Sequence, residues 1–194
     1  MQAFKKEIDL EMAQIILTGL RRAGYTCGIV GGYARDTFFG VTPKDLDICV
    51  AMGTAPDYHS VDYVIEEVRS ALEQEFYREK VIPHMNIAGM YNDHASDRAC
   101  GVFQFPDHGI DIILYKDCVD MSEIVDSFDF NINQFGMDGY YDDEPRYLGE
   151  SRLVAGLVKV RDACSEDRAI KVARKYAALH EEIAKADAEG RFDE

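Results

Sequence analysis

The run Thr26-Cys27-Gly28-Ile29-Val30-Gly31-Gly32-Tyr33-Ala34-Arg35-Asp36, followed by Gly40 and then Pro43-Lys44-Asp45-Leu46-Asp47, decides how this chain reads. Thr26 to Val30 is short and β-branched and predicts a strand. A glycine pair follows, then a brief helical pattern over 33–39 closed by Gly40, so the local plan is strand, glycine turn, helix. Leu46 to Met52 predicts the next strand. In it alternate side chains point the same way, which puts Asp45 and Asp47 on one face and Leu46 and Ile48 on the other.

Outward from this block the pattern stays mixed. Phe4, Ile8, Met12, Ile15, Ile16 and Leu20 recur at helical spacing before Gly24, and Val61, Val64, Ile65, Val68, Leu72 and Phe76 do so over 61–77. The stretch 83–98 reads as irregular and polar. Segments 102–105 and 110–115 read as strands joined by the turn Pro106-Asp107-His108-Gly109. Phe128 to Phe135 alternates apolar and polar residues, as a strand or extended segment would, and Leu157 to Val160 is a further apolar stretch. Ser165-Glu166-Asp167 supplies an N-cap and acidic first turn for a last helix reaching about Ala184. The predicted class is α+β, a mixed α/β sheet with flanking helices, with 1–160 as the main domain and 161–194 as a terminal helix and acidic tail. The acidic end from Glu181 to Glu194 reads as solvated and fraying.

A chain of 194 residues with 29% charged and 47% apolar residues can bury one substantial core. Its net charge of −15 argues against broad, sequence-independent binding of nucleic acid, although a local basic groove is compatible with it. The 5 cysteines are odd in number and widely spaced, which fits neither a disulfide framework nor a zinc knuckle. No stretch approaches the ~18 apolar residues of a membrane span, and no signal-peptide core is present, so a cytoplasmic protein is expected.

Three carboxylates invite chemistry. Asp45 and Asp47 on one face repel each other unless a cation joins them, and hard oxygen ligands suit Mg²⁺, with Mn²⁺ as a substitute. The plainer alternative is that both flank a loop and face water. Asp111 interrupts the apolar strand Gly109-Ile110-Asp111-Ile112-Ile113-Leu114, where a charge is costly unless paired. Two readings of it stand: an edge-strand residue facing solvent, or a third member of the cluster if its strand lies beside that of Asp47, as a two-metal centre would need. The Gly31-Gly32 turn offers bare backbone N–H groups and a helix start to a polyphosphate, and Arg35 offers a bidentate phosphate contact. The pattern lacks the G-x-x-x-x-G-K-[ST] and G-x-G-x-x-G forms, so P-loop and dinucleotide readings drop out. His84, Asp93, His94, Asp97, Cys100 and His108 match no zinc spacing and are read as residues of a loop over 83–108 that closes on substrate.

Taken together, Gly31-Gly32-x-x-Arg35-Asp36, Gly40 and Pro43-Lys44-Asp45-x-Asp47 resemble the head-domain signature of the tRNA nucleotidyltransferase (CCA-adding enzyme) and poly(A) polymerase family, within the DNA polymerase β-like nucleotidyltransferase superfamily. The resemblance implies a small nucleotidyltransferase-type mixed sheet with a neck-like helix at its end. It implies that Asp45 and Asp47 bind the catalytic metals and that Asp111 is the third carboxylate. It further implies a nucleotide site containing Gly31, Gly32, Arg35, Asp36 and Lys44. Phe128-Asp129-Phe130-Asn131-Ile132-Asn133 looks like the family's R-R-D-F-T-x-N motif, making Asp129 a ribose-hydroxyl ligand and Asn133 a nucleotide-site residue, with Ser127 and Phe128 standing where the family has two arginines. Glu166-Asp167-Arg168 is similar to the opening of the family's E-D-x-x-R neck helix, with Ile170 at its Arg position and Arg168 or Arg174 as substitutes. Family members carry helical body and tail domains after the neck. The implied activity is Mg²⁺-dependent transfer of a nucleoside monophosphate from an NTP, ATP or CTP, to an acceptor hydroxyl, an RNA or tRNA 3′ end, with neither DNA nor a membrane as partner. The alternatives are a protein or small-molecule acceptor, and a nucleotide-binding regulator without catalysis.

Overall fold

One mixed sheet of seven strands, in the order β3-β4-β5-β2-β1-β6-β7, carries the fold. The computed structural model describes residues 8–53, 58–76, 86–88, 99–138, 144–161 and 164–192. The strands are β1 (Thr26–Val30), β2 (Leu46–Ala51), β3 (Asn86–Ala88), β4 (Ala99–Phe105), β5 (Ile110–Tyr115), β6 (Phe135–Met137) and β7 (Arg146–Tyr147). Among the described residues only β2 and β5 pair in parallel; every other neighbouring pair of these strands is antiparallel. A parallel pair needs a long crossover, which here runs through α3 (Tyr58–Phe76), β3 and β4.

The two faces are covered by different helices, and that difference makes the site. On one face Leu46, Ile48, Val50, Ile110, Ile112 and Leu114 pack against α1 (Leu10–Arg22) and α3, whose Met12, Ile16, Leu20, Val64 and Val68 are buried. On the other, α4 (Met121–Val125) seals one end through Ile124 and Val125 against Cys49, Ala51 and Tyr115. Beside it α2 (Gly32–Phe38), α5 (Glu166–Ala178) and α6 (His180–Ala188) share a second apolar cluster of Ala34, Phe38, Ile132, Phe135, Val172, Leu179 and Ile183.

The mixed sheet with flanking helices is as the sequence predicts; several details differ. The alternation over 128–135 is not a strand: Asn131–Asn133 form a 3-10 turn and the strand starts at Phe135. The polar residues of that stretch turn inward. Asn131 is fully buried, donating to the Gly156 carbonyl (3.0 Å) and accepting from the Val158 N–H (2.9 Å). The loop expected over 83–108 contains β3 and all of β4, so no single loop spans it. His84, Asp93, His94 and Asp97 lie outside the described residues, as do residues 4–7 of the first predicted helix and the side chains of Val61, Leu72 and Phe76. The last helix is two helices, broken at Leu179, whose φ of −102° and ψ of 3° leave the helical range. The acidic tail is not frayed over 180–192: Ile183 and Ala186 are buried, Phe192 stacks on Phe38 at 5.5 Å, and Arg191 donates to the Phe38 carbonyl.

Candidate active site

The parallel register sets Asp47 opposite Asp111. Their neighbours Leu46, Ile48, Ile110 and Ile112 point into the α1–α3 core, so by alternation both carboxylates project from the other face, at the end α4 does not seal. Gln104 is the register partner of Asp111 on β4, and its Nε2 donates to Asp111 Oδ2 at 3.3 Å. A polar row thus crosses β4, β5 and β2. Asp45 stands one residue before β2 and is exposed, as is Lys44.

Burial pushes the Asp47 carboxyl up to about 7, and the charges of Asp45 and Asp111 push the same way; Arg168 pulls it down. The fold therefore holds negative charge here at a cost that a cation would relieve. Among the described residues, no three His, Cys, Asp or Glu side chains stand close enough together to hold a metal ion as placed. The donor set nevertheless fits a hard divalent cation: oxygen ligands only, and a central carboxylate whose ionised form the protein alone disfavours.

The glycine turn opens a second cluster. Gly31 has φ of 88°, a left-handed value that side chains avoid, and this lets the chain leave β1 and enter α2. Its N–H is not bare as the sequence suggested, because it donates to the Phe135 carbonyl at 2.8 Å. Arg35 and Asp36 are both buried. Arg35 Nε and Nη2 each lie 2.8 Å from Asp36 Oδ1, and Nη1 donates to Asn133 Oδ1 at 2.8 Å. Asn133 Nδ2 donates to Asp129 Oδ1 at 3.1 Å. From α5, Arg168 Nε reaches Asp129 Oδ2 at 2.6 Å, and Lys175 Nζ reaches Asp36 Oδ1 and Oδ2 at 3.0 and 3.1 Å. Six side chains from α2, the 3-10 turn region and α5 form one continuous network.

Of the residues singled out in the sequence, the structure joins Asp47 to Asp111, with Asp45 close enough to shift Asp47, and it joins Arg35 and Asp36 to Asp129 and Asn133. Gly31 and Gly32 begin the helix that carries the second group. Lys44 has no described contact with either group. Cys100 Sγ donates to the Leu114 carbonyl and His108 Nδ1 pairs with Asp9, so neither joins the site. Phe128 lies against Gly31: a Cβ added at Gly31 would meet its ring at 3.7 Å. Lys175 lies in the neck-like helix, but the sequence assigns it no role there, because a contact across 139 positions has no local signal.

No protein-family model and no curated protein matches the chain. Among solved structures, it is similar to a Bacillus stearothermophilus CCA-adding enzyme in complex with CTP, at 18% identity and a TM-score of 0.43, over 74% of this chain and 34% of that one. It is similar to a Thermotoga maritima CCA-adding enzyme complexed with tRNA, at 14% identity and a TM-score of 0.41, over 72% of this chain and 29% of that one. An aminoglycoside nucleotidyltransferase, ANT(2″)-Ia in complex with adenylyl-2″-tobramycin, is similar at 13% identity and a TM-score of 0.32, over 54% of this chain and 48% of that one. The chain therefore spans about a third of the length of the CCA-adding enzymes it matches.

Proposed function

We propose that this chain is a metal-dependent nucleotidyltransferase that moves a nucleoside monophosphate from an NTP to an acceptor hydroxyl, with an RNA 3′ end as the acceptor. The observation that carries the reading is the in-register pairing of Asp47 with Asp111 on the two parallel strands, with Asp45 adjoining. Arg168, a member of the network that Arg35 enters from the glycine turn, lies near enough to Asp47 to act on its charge.

In the proposed reaction an acceptor hydroxyl oxygen bonds to the α-phosphorus of the NTP as the bond to the bridging oxygen of pyrophosphate breaks; the hydroxyl proton is lost and pyrophosphate leaves. Asp45 and Asp47 would hold Mg²⁺, which when bound supplies charge neutralisation at the phosphates and lowers the pKa of the attacking hydroxyl. Asp111 orients the hydroxyl from beside Asp47, and Gln104 fixes the angle of its carboxylate. Arg35 binds the triphosphate, and the Asp129–Asn133 pair faces the sugar. Alignment and electrostatic stabilisation supply most of the acceleration for such a transfer.

A second reading keeps the chemistry and changes the acceptor. The −15 net charge repels an RNA backbone and favours a protein or small-molecule hydroxyl. Incubation of the protein with each labelled NTP and Mg²⁺, offering tRNA with and without its 3′ end, total RNA and protein lysate, tests both. The expected result is label on RNA from ATP or CTP, lost with Asp45→Ala. Label on protein supports the second reading, and NTP binding without pyrophosphate release overturns transfer altogether.

A further inference from the structure

Buried charges persist in a protein only when paired, and the pairing around Arg35 has an uneven count. The Arg35 and Asp36 side chains are 10% and 7% exposed and by themselves make a closed, neutral pair. An arginine so satisfied is a poor phosphate ligand, because a phosphate must compete with a full carboxylate for it. The third member is Lys175, which contacts both oxygens of Asp36. It is carried there by α5, whose Val172 packs in the cluster containing Ala34 and Phe38 of α2. With Lys175 present, two cations share one carboxylate and the trio holds one positive charge in excess.

We propose that Lys175 is a positioning residue for the triphosphate: by taking up the charge of Asp36 it leaves Arg35 able to bind an anionic phosphate while Asp36 and Asn133 still fix the guanidinium in place. The inference rests on the reading of this site as an NTP site and assigns part of its affinity to a helix remote in sequence. Lys175 does not touch the phosphate. It acts through Asp36, so its loss weakens binding of any polyphosphate, with or without a base attached.

The test is the affinity of the full chain for magnesium tripolyphosphate by calorimetry, in wild type, Lys175→Met and Lys175→Arg, with melting temperatures measured in parallel. Loss of one charge from a partly buried pair predicts roughly tenfold weaker binding for Lys175→Met, and Lys175→Arg within about twofold of wild type. In turnover the same loss appears as a roughly tenfold higher KM for NTP with kcat within about twofold. Should Lys175→Met not fold, Lys175→Gln takes its place. A folded Lys175→Met or Lys175→Gln that binds tripolyphosphate as wild type does overturns the inference, as does Lys175→Arg failing as badly as Met. Wild type that binds no tripolyphosphate overturns the NTP reading itself, an outcome visible before any variant is made.

Discussion

Asp47 shows how a single side chain can be set against the stability of its own fold. Its ordinary value of 3.8 is raised to about 7, first by burial and then by Asp45 and Asp111, so the folded protein prefers it protonated. The favourable contribution of the protonated form is fully present below pH ~4 and is lost as pH rises through about 7. The shift corresponds to up to about 4 kcal/mol, and to about half of that for a partly exposed carboxylate. Asp47→Asn is therefore expected to raise the melting temperature of the metal-free protein at pH 8 by roughly 5 °C and to leave it unchanged at pH 4, as calorimetry at the two pH values would show. The same variant is expected to lose more than about a hundredfold in nucleotide incorporation. Unchanged incorporation would remove Asp47 from the chemistry. At Gly31 the argument is one of backbone: with φ at 88°, Gly31→Ala forces a side chain into a left-handed conformation and is expected to cost about 1–3 kcal/mol in urea unfolding.

Among the elements, those whose edges depend on local chemistry were legible in the sequence. Thr26–Val30 and Ile110–Tyr115 are strands as their β-branched and apolar runs dictate, and Ser165 caps α5 by accepting from the Arg168 N–H. What was not legible depends on distant partners. The 128–135 alternation imitates a strand because Asn131 and Asn133 are polar, yet they point inward to bind groups at Gly156, Val158, Arg35 and Asp129. No glycine or proline marks the break at Leu179; it arises where α5 and α6 bend to keep Leu179 and Ile183 on the α2 cluster. Whether Asp111 joins Asp47 was decidable only from the strand order, which no local spacing encodes. Asn131 offers a test at this scale. Asn131→Ala leaves the Val158 N–H and the Gly156 carbonyl without their partner and is expected to destabilise by about 2 kcal/mol, while Asn131→Asp, which keeps the acceptor but turns a second buried oxygen against the Gly156 carbonyl, costs at least as much. Equal stability of Asn131→Ala and wild type in chemical denaturation would show that the 3-10 turn does not depend on this clamp.

At the scale of the whole site, an all-acidic group adjoins one in which cations and carboxylates are interleaved. Asp45, Asp47 and Asp111 form one group, and Arg35, Lys175 and Arg168, with Asp36 and Asp129, form the adjoining one. Among the described residues no helix is long and apolar enough to cross a membrane. A cation that binds the folded chain alone stabilises it by mass action, so Mg²⁺ is expected to raise the melting temperature of wild type and not of Asp47→Asn, more strongly at pH 8 than at pH 6 because protons compete for the same oxygens. The parallel pairing of β2 with β5 carries this further. Asp47 and Asp111 are separated in the chain by all of α3, β3 and β4, so their meeting waits for a long-range loop closure. The cation site would then be absent from the rate-limiting transition state for folding. In stopped-flow measurements Mg²⁺ should leave the refolding arm where it is and lower the unfolding arm alone, making the ion a latch on the finished molecule and not a guide to its assembly.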